Sequence, residues 1–378
     1  MGQLNILVTP KFIKSHPTVV EAASGNQESS IKFSTITSEE ESQLESQETS
    51  KGRLVRTFQE WKILRKYVKQ LNPTHCLFMY FDSILLSIAI LKKLPCPCSG
   101  IYFRPIFHYG NFSSFQPSFK EQILQKRDQF VLSRLLSNEK LHTLFSLDLF
   151  AAEHINKLNT SVKSVYLPDP VQIYQDNDFQ PDKLKQEVGI ESGRKVFLLF
   201  GVPQKRKGIY QLLDALQYLT NEDCQQLCIL IVGPKSADEH LHQKIAELDS
   251  STPVQFIKQE RFVPDQEIQP YFQISDLVLA LYQHHIGMSA ILVRAAAASK
   301  PVLSCNYGLM GEIVKMYQLG ITVEATIPSQ IAAGMTKILS QSQNDLCNFE
   351  KMSLFAEQNS AENFATTIFQ HLKLNSQN

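Results

Sequence analysis

The sequence has no excess of charge of either sign: 37 Lys and Arg balance 37 Asp and Glu over 378 residues. A dedicated nucleic-acid binder concentrates positive charge against the phosphate backbone, so the balance excludes that class for the chain as a whole and leaves room only for a local patch. No apolar run approaches the ~18 residues that a membrane helix needs. The longest, Ile84 to Leu91, has the length of a buried helix, and only peripheral membrane contact is left open. The start, Met1-Gly2-Gln3-Leu4-Asn5, lacks the basic residues and long apolar segment of a secretory leader. Ile6 stands where an N-myristoylation motif has Ser or Thr. The seven cysteines are odd in number, and Cys76, Cys224 and Cys228 lie in or beside apolar segments, where free thiols pack. A reducing, cytoplasmic setting is expected. Cys96-Pro97-Cys98 has no second Cys or His pair at ligand spacing, so no metal is expected there.

What is present is an ordinary globular composition, 43% hydrophobic and 20% charged, long enough for two to three domains with a sizeable core. The stretch from Lys195 to Leu303 organises the rest. Lys195 to Gly201 is an apolar run of strand length. A basic turn follows, Val202 to Gly208 with Lys205-Arg206-Lys207, and then Ile209, Leu212, Leu213, Leu216 and Leu219 fall at helical spacing. Further strands are expected at 226–232, 253–257, 276–282 and 301–304, with helices over 237–249, 264–272 and 289–298, the last opened by Ser289 as a cap. Strands alternating with helices mean βαβ units and a parallel sheet, hence an α/β class. In such a sheet the basic turn lies at the carboxyl end of its strand, where ligands bind, and cations beside a helix start suit a phosphate or diphosphate. A solvated surface loop is the bland reading of the same three residues.

This order of elements resembles the nucleotide-sugar-binding domain of GT-B glycosyltransferases, family 4 (glycosyl transferases group 1). Phe200-Gly201 with Lys207-Gly208 is similar to that family's Gly-to-Lys-Gly loop, Val232-Gly233-Pro234 to its mid-domain turn, Ser275 to Leu279 to its Ala-Asp-Val strand, and Ala297 to Val302 to its Gly-Lys-Pro-Val segment. The likeness covers about residues 195–340. It implies a GT-B fold of two doubly wound Rossmann-like domains with a cleft between them. The corresponding division is 1–171 for an acceptor-side domain, 172–194 for a linker and 195–343 for the donor domain. Residues 344–378 would form a terminal helix crossing back to the first domain. Pro168-Asp169-Pro170-Val171 is similar to the family's exit from the first domain.

In the amino-terminal half, strands are expected at 4–8, 75–82, 141–148 and 162–167, a strand running into a loop with Arg104 and His108 over 100–109, and helices over 54–71, 84–91, 122–136 and 151–158. Residues 25–52 read as a polar loop, a solvated helix or partial disorder. Asp82 sits at a strand's carboxyl end, either facing a ligand or capping the next helix. His108 is the nearest match to the family's His that faces the donor sugar; a structural histidine is its alternative.

Two departures from the family stand out. The loop Thr9 to Lys14 lacks the usual glycines. The family's two glutamates, eight positions apart, fall on Ile286 and Arg294, neither of them acidic. Gly287 and Ser289 still offer a loop and helix start for phosphate, and His284 and His285 stand just before them. Glu312 resembles a loop-to-helix Glu of the family. The resemblance thus implies a retaining transfer of a sugar from a nucleoside-diphosphate donor. Lys207 and Arg206 would meet the leaving charge, Gly201 and Gly287 would admit it, and His108 would touch the sugar; Ser289, Arg294, Glu312 and Asp82 complete the candidates. No cofactor or metal is expected: the one Asp-x-Asp, Asp176-Asn177-Asp178, falls in the polar linker. The acceptor could be a saccharide, a lipid-linked or a small molecule. A scaffold weakened by Ile286 and Arg294, and a related isomerase or phosphorylase, are the competing readings.

Overall fold

The computed structural model describes residues 3–25, 30–45, 50–91, 94–158, 160–174 and 178–374. Asp176 and Asn177 of the Asp-x-Asp, and Met1-Gly2, lie outside the described residues. By packing, the chain forms two units: Met1–Phe103 with Lys126–Ser146 and Ala152–Val165, and Arg104–Gln125 with Leu147–Ala151 and Tyr166–Asn378.

The first unit holds a two-stranded parallel sheet, β1 (Leu4–Val8) with β2 (Ile31–Thr35). It also carries a sheet of β3 (Cys76–Phe78), β4 (Cys98–Tyr102), β5 (Leu141–Ser146) and β6 (Lys163–Tyr166) in that order. The helix Ser50–Leu71 buries Trp61, Ile63, Tyr67 and Val68; of the stripe that helical spacing predicts, Phe58, Trp61, Leu64 and Val68, it buries Trp61 and Val68 and leaves Phe58 and Leu64 half-buried. Of the readings of 25–52, the solvated helix is found at Ser38–Leu44, while β2 is a strand that none of them included. The helix is started by a capping box: Thr37 Oγ1 accepts from Glu40 N at 3.2 Å, and Glu40 Oε2 accepts from Thr37 N at 3.0 Å. A pattern of five residues inside a polar stretch is too short to register as a strand until β1 pairs with it.

The second unit is built on six strands: β7 (Lys195–Phe200), β8 (Leu227–Val232), β9 (Gln255–Gln259), β10 (Leu277–Ala280), β11 (Val302–Cys305) and β12 (Gly320–Val323). Their order is β12-β11-β10-β7-β8-β9 and all five neighbouring pairs are parallel. Val196 to Leu199, all of β8, all of β10 and all of β11 are buried. Their unbroken apolar runs therefore belong to strands covered on both faces rather than to amphipathic ones. Asp276 fixes the central register through its carboxylate, which accepts from Val196 N at 2.8 Å.

Two further segments differ from expectation. A helix, Pro181–Val188, occupies the polar segment 172–194 and ends on Gly189 in the left-handed region. The terminal helix is broken into Gln343–Leu346, Phe349–Gln358 and Ala361–Leu374. Asn348 caps the second piece through a bond from Lys351 N at 3.0 Å, and such a cap starts a new helix. Asn359 ends that piece and accepts from Asp169 N at 2.8 Å, tying down the 168–171 segment.

Candidate functional site

The strand order of the second unit reverses between β10 and β7. Loops leaving the carboxyl ends of those two strands part there to opposite sides, which opens the crevice where α/β sheets bind ligands. The loop after β7 carries Gly201, Arg206, Lys207 and Gly208; the loop after β10 carries His284 to Ser289. The two are stitched together. Gln283 N donates to the Arg206 carbonyl at 2.8 Å, and Gln283 Nε2 donates to Leu281 O and Ala325 O at 2.9 and 2.8 Å. Gly208 adopts φ +72° and lies so close to β10's exit that a Cβ there would meet the Leu281 carbonyl oxygen at 2.1 Å.

The basic turn is a single 3-10 turn, Lys205–Lys207. Lys207 is half-buried and its ammonium donates to the Phe200 carbonyl. Burial, reinforced by Arg206, lowers its pKa from 10.5 to about 8. The Arg206 guanidinium lies 5.2 Å from the Tyr282 ring centroid and the Lys207 ammonium 5.9 Å from it. Among the described residues, neither cation forms a salt bridge with a carboxylate. Two positive charges held by a carbonyl and a ring face, at a switch point, leave electrostatic room for an anion.

Ser289 does stand at the start of the helix Ala290–Ala297, but it makes no side-chain cap; its hydroxyl donates instead to the Tyr282 hydroxyl at 3.2 Å. The amides of that first turn are therefore not occupied by Ser289. Gly287 has φ +98°, and its N–H donates at 3.0 Å to the hydroxyl of Tyr109. The amide of Leu309, in the first turn of the helix Gly308–Tyr317, bonds the same phenol oxygen. A Cβ on Gly308 would meet the Tyr109 ring at 2.7 Å. Tyr109 is fully buried, and burial drives its phenol well above the ordinary range, so it stays neutral.

His108 is 2% exposed, inside the rings of Phe107, Tyr109 and Phe112. Its Nε2 lies 3.0 Å from Asp148 Oδ2 at ion-pair distance rather than in an aligned hydrogen bond, and its Nδ1 has no hydrogen-bond partner among the described residues. Asp148 also caps the helix Leu149–Asn156, accepting from Ala151 N at 3.0 Å. Asp82 belongs to the first unit. It lies in a 3-10 turn, Phe81–Ser83, and its carboxylate accepts from Phe103 N at 2.8 Å. That bond pins β4's exit.

Arg294 is buried. Burial lowers its pKa, and the opposing charges are those of Asp265 and Asp169. Its Nη1 has no hydrogen-bond partner among the described residues. Glu312 lies within the helix Gly308–Tyr317, where Ser114 Oγ donates to it at 3.3 Å and Lys315 Nζ at 3.1 Å.

One cluster was missed entirely. Glu121 accepts from Tyr307 Oη at 2.6 Å and from Ser118 N and Oγ at 2.8 and 2.7 Å, and lies 3.2 Å from His284 Nδ1. Burial pushes the Glu121 carboxyl up, but the bonds from Tyr307 and Ser118 outweigh it and hold the group below its usual range. The sequence signal was available: Ser118-Phe119-Lys120-Glu121 is a capping-box pattern, and the helix begins at Phe119. Among the described residues no group of three His, Cys, Asp or Glu is placed to hold a metal ion. A separate surface groove, lined by Phe179, Lys183, Arg261, Glu267 and Tyr271 among others, includes none of the switch-point loops.

Residues 180–364 match the family model for glycosyl transferases group 1. By that match the segment is a domain of the group 1 glycosyltransferase type. The match takes in both switch-point loops, so Gly201, Arg206, Lys207, Gly287, Ser289, Arg294 and Glu312 all lie inside it, and Asp82 and His108 lie outside. Over 186 residues the chain is 23% identical to spore coat protein SA of Bacillus subtilis (strain 168), covering 48% of this chain and 48% of that one. It thus spans about half the length of the curated relative it matches. An α,α-trehalose-phosphate synthase (UDP-forming) from Burkholderia vietnamiensis superposes with a TM-score of 0.67 at 10% identity, over 100% of this chain and 98% of the other. Alr3699/HepE of Anabaena, solved in complex with UDP, gives 0.66 at 15% identity, over 99% and 100%. The fold is GT-B.

Proposed function

We propose that this protein is a retaining glycosyltransferase that moves a sugar from a nucleoside-diphosphate donor to an acceptor. The observation that carries this reading is the pair of cations without a carboxylate partner, Arg206 and Lys207, fixed at the strand switch point of a group 1 glycosyltransferase domain. In such a transfer the bond from the anomeric carbon to the diphosphate breaks as the acceptor oxygen attacks the same face. The acceptor's proton passes to the departing phosphate, whose new charge needs donors already in place. Lys207 and Arg206 would supply them, with Gly201 and Gly287 letting the diphosphate approach the backbone. UDP, present with the Anabaena protein, is the nucleotide to test first. A saccharide, a lipid-linked or a small-molecule acceptor fits this scheme equally; no helix among the described residues is long and apolar enough to cross a membrane.

Lys207→Ala should weaken UDP binding by about 1.5–3 kcal/mol, the loss of a charge-assisted bond. The pH dependence gives a second test. Free Lys207 titrates near 8, below its ordinary 10.5, and a bound diphosphate raises that value again. Affinity is therefore full below about pH 8 and falls as pH rises beyond it, until the pKa of the complex is reached. Calorimetric titration with UDP from pH 6.5 to 9.5 should show this fall in the wild type and a flat profile in Lys207→Ala. Equal affinity and equal pH profiles would remove Lys207 from the site.

A second reading, a GT-B protein with weakened donor binding, draws on Ile286 and Arg294 in the glutamate positions and on the Tyr109 hydroxyl that already occupies the Gly287 and Leu309 amides. Tyr109→Phe separates the two. It empties both amides with little change of volume, so a donor that competes for them should bind about tenfold more tightly. If UDP and a panel of UDP-sugars bind neither form, and no donor is hydrolysed, the second reading stands.

A further inference from the structure

The helix Phe119–Leu136 has an outer face that the proposed donor site does not use. Phe119 is 78% exposed, Ile123 53% and Phe130 49%. At about 100° per residue these three fall within about 40° of one another around the helix axis. They form one apolar ridge rather than scattered exposures, and a contiguous exposed apolar patch marks a surface that meets something other than water. The inner face is already committed to the fold: Val131, Leu132, Leu135 and Leu136 are buried. The charges of the helix are sorted in the same way. Both of its acids are buried. Glu121 accepts from Tyr307 and Ser118, and Asp128 accepts from the Tyr102 hydroxyl. Its four cations flank the ridge instead. Lys120, Lys126 and Arg127 are exposed, and half-buried Arg134 holds its guanidinium 5.2 Å from the Phe130 ring centroid. The same angular step puts Lys120, Arg127 and Arg134 on one side of the ridge and Lys126 on the other. The outer face thus carries all four positive charges of the helix and neither of its negative ones, in a chain of zero net charge.

We propose that this face is an interfacial anchor that lies on a bilayer containing anionic lipid. Phe119, Ile123 and Phe130 enter the boundary of the acyl chains, and the four cations lie among the headgroups. Lysine and arginine suit that border, because their stems cover apolar surface while their charged ends reach phosphate. A cation close to such a surface multiplies affinity about fivefold, so four together contribute on the order of several hundred-fold. The contact is with the membrane surface, since no helix among the described residues is long and apolar enough to cross it. Two other occupants match the face less well. A second copy docked on the same face about a two-fold axis would set the cations against their own counterparts. A nucleic-acid duplex would take up the cations but leave the apolar ridge against phosphate.

The test is flotation of the full chain with vesicles of phosphatidylcholine, either alone or with about 30% phosphatidylglycerol to supply the anionic surface. No nucleotide is added, so the result does not depend on the proposed transfer. Wild type should float with the mixed vesicles and not with phosphatidylcholine alone, and added salt should release it. Lys120→Glu with Lys126→Glu should weaken binding at least about 25-fold. Arg127 is left in place because its charge acts on the buried Tyr102–Asp128 pair. Phe119→Gln with Ile123→Gln and Phe130→Gln should weaken binding at least about tenfold through lost apolar burial. All five positions are exposed, so thermal unfolding of both variants should match wild type. Should the triple variant fail to fold, Phe119→Trp takes its place. The one native tryptophan, Trp61, is buried, so brominated lipid in the mixed vesicles should quench the new tryptophan alone. Equal binding to both kinds of vesicle, unchanged binding in either variant, or an unquenched Phe119→Trp would each overturn the proposal. So would a wild type that binds no vesicle but forms an oligonucleotide complex or a dimer that the variants lose.

Discussion

Arg294→Glu is expected to destabilise the fold by about 3–5 kcal/mol, the range for leaving a buried charge uncompensated. By sequence alone this substitution restores a family glutamate and ought to strengthen donor binding. The structure reverses that expectation. Arg294 is buried, and the charges that act favourably on it are Asp265 and Asp169, so the new carboxylate would join two others. Asp169 sharpens the test. Burial raises its carboxyl from 3.8 to about 6 in spite of Arg294. A raised carboxyl favours the fold when protonated, so its contribution is present below about pH 4 and is lost as pH rises through 6. Removing the cation and adding an anion raises that value again. Urea denaturation should therefore find Arg294→Glu far weaker than wild type at pH 7.5 and partly recovered at pH 5. Arg294→Met keeps the volume and removes the charge, and should cost little, since replacing a buried ion by an apolar side chain is often neutral. If Arg294→Glu is as stable as wild type at pH 7.5, its side chain does not lie among those carboxylates.

Gly208→Ala should cost about 3 kcal/mol and remove nucleotide binding with it. Two effects add. A left-handed φ of +72° costs an alanine about 1–2 kcal/mol. A Cβ would also stand 2.1 Å from the Leu281 carbonyl, a backbone atom that moves only if the exit of β10 moves. That shift would break the Gln283 N bond to Arg206 O which aligns the two switch-point loops. Gly189→Ala carries the first effect alone: Gly189 has φ +86° but nothing within 4 Å of the added Cβ, so it should lose only about 1 kcal/mol. Thermal unfolding of the pair measures the difference; equal losses would mean that the loops are not locked at Leu281.

Much of the second unit was readable because its signals are local. A continuous apolar run such as Leu227 to Val232 is a buried strand whatever surrounds it, and the parallel sheet follows from the alternation of such runs with helices. The basic turn, the two glycines beside it and the order of motifs were likewise present in the chain. The same reasoning failed where an element depends on a partner. β2 is five residues in a polar setting and needs β1 to be a strand. The segment 172–194 looked like linker, though Pro181 and Gly189 are start and stop signals for the helix between them. Ser289 stands where a cap belongs, but a hydroxyl bonds the nearest good partner, and that partner is Tyr282.

The candidate site divides along the same line. By itself the sequence determined which residues carry charge near the switch point, and that Ile286 and Arg294 depart from the family's acids. Tertiary structure alone decided where those groups point and what they touch: His108 sealed against Asp148, Tyr109 on the Gly287 and Leu309 amides, Glu121 gathered to Tyr307 and His284, and Arg294 turned to Asp265 and Asp169. The reason is physical. Charge and hydropathy patterns are properties of neighbours in the chain. A hydrogen bond or a charge pair is fixed to a few ångströms by packing, between residues as far apart in sequence as Tyr109 and Gly287, and no local pattern encodes that distance.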